Sequence, residues 1–342
     1  MIDAFPLVEV SGTAYAMGYE QGVQVRDLVH ERLALIESRA GKPPAWLWRE
    51  AMHTISPVRD ASPALVQELR GLADGAEISF AQALFCQMQA AGAQAMRSAS
   101  TACAVAGAAA ASGAALAGQN LDLAPEFGGL MLVLHLRPTD GRPRALILTL
   151  AGQLGGVGIN NHGLAIVANE LPGGAPRLGL PLSILLRIML ERRSVAECVR
   201  LAERRYVASS ATVLICDGHG TVADLEIKPE GVVQREGAQR DWLVHANHFV
   251  SPDFERYNAD CLPDSVERAR RMSELLEASV GRATLSTLQC VLADHEGAAA
   301  GICRHGESGL HTAAGCIAEP DNGRLHVRRG YGCQGTWRSY AV

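Results

Sequence analysis

The feature that narrows the fold most is a change of texture near residue 101. Before it the chain reads helical. Residues 13–38 carry Met17, Val23, Val25, Leu28, Leu33 and Leu35 at mixed three- and four-residue spacing. Residues 62–76 open on Ser62-Pro63 and run through Leu65, Leu69 and Leu72 to Gly75, and a further helix is expected from Ser79 into the alanines. After the break come short apolar runs separated by turn residues. Residues 131–137 and 145–151 flank Asp140-Gly141, 157–160 and 164–169 flank Asn161-His162-Gly163, and 211–216 and 221–227 flank Asp217-Gly218-His219-Gly220. Ile317 and residues 325–329 flank Asp321-Asn322-Gly323 in the same way. Each pattern predicts a hairpin. Helical stretches at 182–204, 264–279 and 284–294 interrupt the strands. Elements thus come in blocks, which predicts an α+β fold with antiparallel sheets.

A chain of 342 residues, 48% hydrophobic, buries a sizeable core without disulfides or metal. Net charge is −5 and pI ≈ 6.1, leaving no basic footprint for nucleic acid or an anionic membrane. The only lysines are Lys42 and Lys228, which leaves little scope for Schiff-base chemistry. The nine cysteines are scattered and form no C-x-x-C, so neither a disulfide framework nor a zinc cage is expected. The first six residues lack a basic segment followed by an apolar one, and the alanine-rich stretch is too polar to span a bilayer. A cytoplasmic protein is expected.

Several motifs are set aside. Gly156-Val-Gly158 with Gly163 has the wrong spacing for a dinucleotide loop and precedes a strand. His245 and His248, three apart on a strand, face opposite sides and read as hydrogen-bonded histidines rather than metal ligands. Asp294-His295 reads as a helix cap. More informative is Cys103, in Thr101-Ala-Cys103-Ala-Val-Ala106 at the texture break. It lies 122 − 103 = 19 residues before the acid of Gly118-Gln-Asn-Leu-Asp122. Ser112-Gly113 between them reads as a turn, so Cys103 and Asp122 are expected to face each other across a hairpin.

With these residues the chain resembles the acyl-CoA:6-aminopenicillanic acid acyltransferase family, a cysteine branch of the N-terminal-nucleophile hydrolases. The resemblance runs nearly end to end. It includes Gly18-Tyr-Glu-Gln-Gly22, Gly71-Leu-Ala-Asp-Gly-Ala76, Gly118-Gln-Asn-Leu-Asp122 and Val157-Gly-Ile-Asn160. It continues through Leu225-Glu226, His245-Ala-Asn-His248, Leu262-Pro-Asp-Ser265, Arg271-Met272 and Ile302-Cys-Arg304. It implies a four-layer αββα sandwich and a precursor that cuts itself between Ala102 and Cys103. Residues 1–102 would then form a mostly helical α-chain, and 103–342 a β-chain carrying both sheets, the two staying associated. The freed Cys103 would offer its thiol as nucleophile and its own α-amine, of pKa ~7.7–8.0, as base. Asn247 matches the oxyanion donor and Asp122 the acid beside the new N-terminus. Asn120, Asn160 and Arg304 are secondary candidates for substrate or oxyanion contact, with Arg304 alternatively paired to an acid such as Glu226.

The expected activity is hydrolysis of a small N-acyl amide through a Cys103 thioester, favoured over transfer because nothing reads as a coenzyme A site. No cofactor is expected. The alternatives are an acyl-CoA-dependent acyltransferase of the penicillin type and an unprocessed binding protein on the same fold. Departures are visible. The family commonly has Gly before the nucleophile and Thr or Ser after it, where this chain has Ala102 and Ala104. Gln87-Met-Gln89 replaces Leu-Asn, and no arginine lies between Arg304 and Arg324, which weighs against a penicillin substrate.

Overall fold

Turn chemistry and apolar alternation set the strands of the computed structural model, which describes residues 4–88, 98–172, 177–235, 241–297, 301–306 and 309–342. The strands are β1 (Leu7–Gly12), β2 (Ser98–Val105), β3 (Leu116–Leu123), β4 (Met131–Pro138), β5 (Ala145–Leu150), β6 (Val157–Asn160) and β7 (Leu164–Glu170). They continue with β8 (Ala211–Asp217), β9 (Val222–Lys228), β10 (Gly231–Arg235), β11 (Trp242–His245), β12 (His311–Glu319), β13 (Arg324–Arg329) and β14 (Trp337–Ala341). One sheet has eight strands in the order β1-β4-β5-β6-β7-β8-β9-β10, the other six in the order β11-β2-β3-β12-β13-β14. All four expected hairpins form, with positive φ at Gly141, Gly163, Gly220 and Gly323 where the turns demand it.

The helices are α1 (Ala14–Gln24), α2 (Arg26–Arg39), α3 (Pro44–Met52), α4 (Ile55–Ala61), α5 (Pro63–Ala76) and α6 (Phe80–Phe85). Those of the second half are α7 (Leu182–Met189), α8 (Val195–Glu203), α9 (Ser265–Glu277) and α10 (Leu285–Val291). The motifs Gly18-…-Gly22 and Gly71-…-Gly75 are packing faces of α1 and α5. A Cβ at Gly18 would come within 1.9 Å of the Glu68 carbonyl, and one at Gly71 within 2.0 Å of that of Tyr15. Only glycine lets the two backbones cross so closely.

Four layers result. Leu33, Leu69 and Leu72 of the N-terminal helices join one core with the eight-stranded sheet. Gln119 of β3 spans the two sheets, donating to Asn169 Oδ1 at 2.9 Å and accepting from the Ala168 N–H at 3.1 Å. On the outer face of the six-stranded sheet, Met272 and Leu276 of α9 and Leu288 and Leu292 at α10 form a second apolar cluster. The expected αββα arrangement is the observed one.

Three expectations need correction. β1 lies within the stretch read as helical; its six residues alternate exposed and buried, a strand signal too short for the helical window, and it pairs parallel to β4. β2 begins at Ser98, so residues 103–342 alone do not carry both sheets. The helix expected to run from Ser79 into the alanines ends at Phe85, and residues 89–97 lie outside the described residues. Among the described residues no helix is long and apolar enough to cross a membrane.

Candidate active site

Alternation along β2 decides what each of its side chains can meet. Ala102 and Ala104 point into the core between the sheets, whereas Cys103 and Val105 point outward into the cluster with Leu288 and Leu292. Thr101 shares the outer face, where its hydroxyl accepts from Arg268 Nη1 at 2.6 Å. Ser98 and Ser100 share the inner face. They line a cavity of about 70 Å³ with Gln119, Leu121, Leu148, Glu170, Leu182 and Leu186.

Cys103 therefore does not meet Asp122. In the β2–β3 ladder Cys103 pairs with Gly118, and the residue opposite Asp122 is Ala99. The hairpin is not closed by a two-residue turn at Ser112-Gly113. A 3-10 turn at Gly107–Ala109 and the left-handed Gly113 lengthen the loop and move the register by four residues. Cys103 also pairs with Val244 on its other side, is fully buried, and has its thiol pushed up to about 12 by burial. It lies four residues along the strand from Asp122's partner and outside the cavity lining.

The residues gathered around the start of β2 are others. Asn247 follows β11, and its Oδ1 accepts from the Ser100 N–H at 3.0 Å and from Arg268 Nη2 at 2.9 Å. Its Nδ2 donates to the Glu170 carbonyl at 2.9 Å, which leaves its second amide hydrogen without a partner among the described residues. Arg268 Nη1 also donates to the Ser100 carbonyl at 2.8 Å, so a buried guanidinium fixes both faces of this segment. The Ser100 hydroxyl makes no hydrogen bond among the described residues, while Ser98 Oγ donates to Glu170 Oε2 at 2.7 Å. Burial raises the Glu170 carboxyl above its ordinary value.

Asp122 is buried behind β2, on the outer face. Thr312 Oγ1 donates to its Oδ1 at 2.6 Å, and its Oδ2 has no hydrogen-bond partner among the described residues. Burial pushes its pKa up to about 6, against the opposing pull of Arg268, the Thr312 hydrogen bond and Arg304.

The secondary candidates are engaged with other parts of the fold. Asn160 spends Nδ2 on the Leu190 and Arg192 carbonyls and Oδ1 on the N–H groups of His162 and Leu164, closing the β6–β7 turn. Both N–H groups of Asn120 are spent on the Leu292 and Ile302 carbonyls, and its Oδ1 accepts from Arg328. Arg304 ion-pairs with Asp264 rather than Glu226, which instead holds His245 at 2.9 Å. His248 bonds Ser265 Oγ at 2.8 Å, and burial, then the neighbouring His245, pushes its pKa down to about 4. Sequence reasoning missed Ser100, Glu170, Arg268 and Thr312. Only Ser100 carried a signal: it follows a small residue and precedes the hydroxyl of Thr101.

The chain is 26% identical over 306 residues to the 40 kDa form of acyl-coenzyme A:6-aminopenicillanic-acid-acyltransferase from Emericella nidulans, covering 87% of this chain and 84% of that one. Among solved structures it is similar to the penicillin V acylase of Agrobacterium tumefaciens, with 14% identity, 71% of this chain and 86% of that one covered, and TM-score 0.48. A mutant conjugated bile acid hydrolase from Clostridium perfringens gives 11% identity, 71% and 97% coverage, and TM-score 0.47. The family model for acyl-coenzyme A:6-aminopenicillanic acid acyl-transferase matches residues 109–328, and the chain belongs to that family.

Proposed function

We propose that this protein is a self-processing enzyme acting on small N-acyl amides, hydrolysing them in preference to transferring the acyl group, with the Ser100 hydroxyl as nucleophile. The observation that carries the reading is that Ser100 lines the inter-sheet cavity beside Asn247, whereas Cys103 lies in the outer cluster. The run Ala99-Ser100-Thr101 also has the small residue, nucleophile and hydroxyl order that the resemblance implies, which Ala102-Cys103-Ala104 lacks.

In the uncut chain Ser100 Oγ attacks the Ala99 carbonyl carbon, and its proton passes to the Ser100 nitrogen as the C–N bond breaks. Water then hydrolyses the resulting ester, leaving an Ala99 carboxylate and a free Ser100 α-amine. That amine, of pKa ~7.7–8.0, takes the hydroxyl proton when Oγ attacks a substrate amide and returns it to the leaving amine. Water releases the acyl group from the ester. The second amide hydrogen of Asn247 serves the oxyanion. Asp122, opposite Ala99 and with an unpartnered Oδ2, offers an acceptor for the new ammonium. A cavity of about 70 Å³ has room for a handful of heavy atoms, which favours a short acyl group.

The test is turnover of short-chain N-acyl amino acids and amines, followed by mass spectrometry. Activity is expected in wild type and in Cys103→Ala and absent in Ser100→Ala. Activity that survives Ser100→Ala and is lost in Cys103→Ala restores the thioester reading. An inactive, uncut wild type favours the non-enzymatic binding protein.

A further inference from the structure

The sequence offers no C-x-x-C, yet the fold brings two cysteines and two histidines from three separated segments to one place. His295 follows α10, Cys303 and His305 lie on the loop before β12, and Cys333 lies in the turn between β13 and β14. The donor atoms of His295, His305 and Cys333 all lie within 4.8 Å of one another. His305 Nε2 is 3.4 Å from Cys333 Sγ and 3.7 Å from Cys303 Sγ. In a tetrahedral site with Zn–S ≈ 2.3 Å and Zn–N ≈ 2.0–2.1 Å, a sulfur–nitrogen edge is about 3.5 Å. The two contacts straddle that length.

The surroundings suit ligands rather than chance neighbours. His295 Nδ1 lies 3.2 Å from the Ala293 carbonyl, which fixes the proton on Nδ1 and leaves Nε2 as a lone-pair donor. The Gly332 N–H donates to Cys303 Sγ at 3.0 Å, a bond that favours thiolate over thiol. The His305 ring is held by stacking on Tyr331, with centroids 4.4 Å apart and planes 12° off parallel. His295, His305 and Cys333, the three mutually close donors, are exposed, so an ion can enter from solvent, and the buried Cys303 adjoins them at His305. Charged neighbours are of both signs: Arg328 faces Cys303, and the Arg271–Asp294 pair adjoins His295.

We propose that His295, His305 and Cys333 bind a zinc ion, with Cys303 beside His305 swinging in as the fourth ligand, so that the ion ties the loop before β12 to the β13–β14 turn. Binding releases two protons from the thiols and leaves a neutral site of one Zn²⁺, two thiolates and two neutral imidazoles. The site is separate from the cavity at Ser100, and the proposal stands whether or not the chain is an enzyme. Its consequence reaches the active site through Arg304, which lies between Cys303 and His305 and whose backbone N–H donates to the same Thr312 hydroxyl that donates to Asp122.

The experiment uses the reduced full-length chain without an affinity tag, loaded with Zn²⁺ or Co²⁺ and desalted. A single metal ion per chain by elemental analysis is expected. The Co²⁺ form should show the intense visible bands of a tetrahedral ion and a sulfur-to-cobalt charge-transfer band. Cys333→Ser and His305→Gln, checked for native circular dichroism, should lose most of the metal at equal free concentration, and Cys290→Ser should keep it. Co²⁺ bound without the charge-transfer band, equal loading in the variants, or no metal retained by the reduced wild type would overturn the site.

Discussion

Asn247 Oδ1 accepts the backbone N–H of Ser100 at 3.0 Å, the start of the segment that Arg268 grips from behind. The side chain expected to hold an oxyanion therefore meets β2 at residue 100, three residues before Cys103. Asp122 meets the same strand at Ala99. The segment after β11 and strand β3, one on each side of β2, converge on the Ala99–Ser100 bond.

For Asn247 the expectation is a loss in chemistry. Asn247→Ala should lower kcat by ~10²–10³, about 2.7–4 kcal/mol, as for one lost oxyanion donor. Because the same side chain accepts the Ser100 N–H, slower self-processing is expected as well. Steady-state kinetics on the fully cut variant separates the two. A kcat within about threefold of wild type would make the residue purely structural.

Cys103 should behave as a core residue. Its thiol is fully buried and pushed up to about 12, so disulfide reagents should label the exposed Cys290 in the native protein and leave Cys103 untouched. Cys103→Ala should cost about 1 kcal/mol of stability by leaving a small void, without preventing the cut. Rapid labelling of Cys103 under native conditions contradicts this.

Asp122 links stability to pH. Its pKa in the folded chain is raised from the ordinary 3.8 to about 6, so the native state binds more protons than the unfolded one between those values. The group's contribution to stability is therefore present below about pH 4 and lost as pH rises through about 6. The full effect is ~3 kcal/mol. Denaturant titrations of the uncut Ser100→Ala chain should show this slope, and adding Asp122→Asn should flatten it. An unchanged slope contradicts the assignment.

Activity should rise with pH through a group titrating near ~7.7–8.0, the freed amine, with no essential histidine. His248 has a pKa near 4 and His245 is held by Glu226, so neither is disposed to serve as the base. His245→Gln and His248→Gln, once shown to be cut, should keep the rising limb. Its loss in either hands the base to histidine.

Much of the fold was legible because turn residues act locally. Asp140-Gly141 and Asn161-His162-Gly163 punctuate their hairpins whatever packs around them. The β2–β3 register was not legible, for a physical reason. Asp122 opposite residue 99 and opposite residue 103 differ by an even number of residues, so the inward and outward faces of β2 stay the same. In a strand of Ala, Ser and Cys the side chains differ too little to expose the slip. The resemblance singled out Asp122 and Asn247, but which residue of β2 they meet depended on that register. Arg268, Thr312 and Glu170 come from distant elements and carry no local pattern. Neither did the histidines and cysteines at residues 295, 303, 305 and 333, whose spacing follows no zinc motif.

The most direct test is the N-terminal sequence and intact mass of the larger fragment in freshly purified wild type. A fragment that begins at Ser100, absent in Ser100→Ala and present in Cys103→Ala, is the predicted result. A fragment that begins at Cys103 would contradict the assignment of Ser100, and an active protein recovered as one uncut chain would contradict the self-processing mechanism itself.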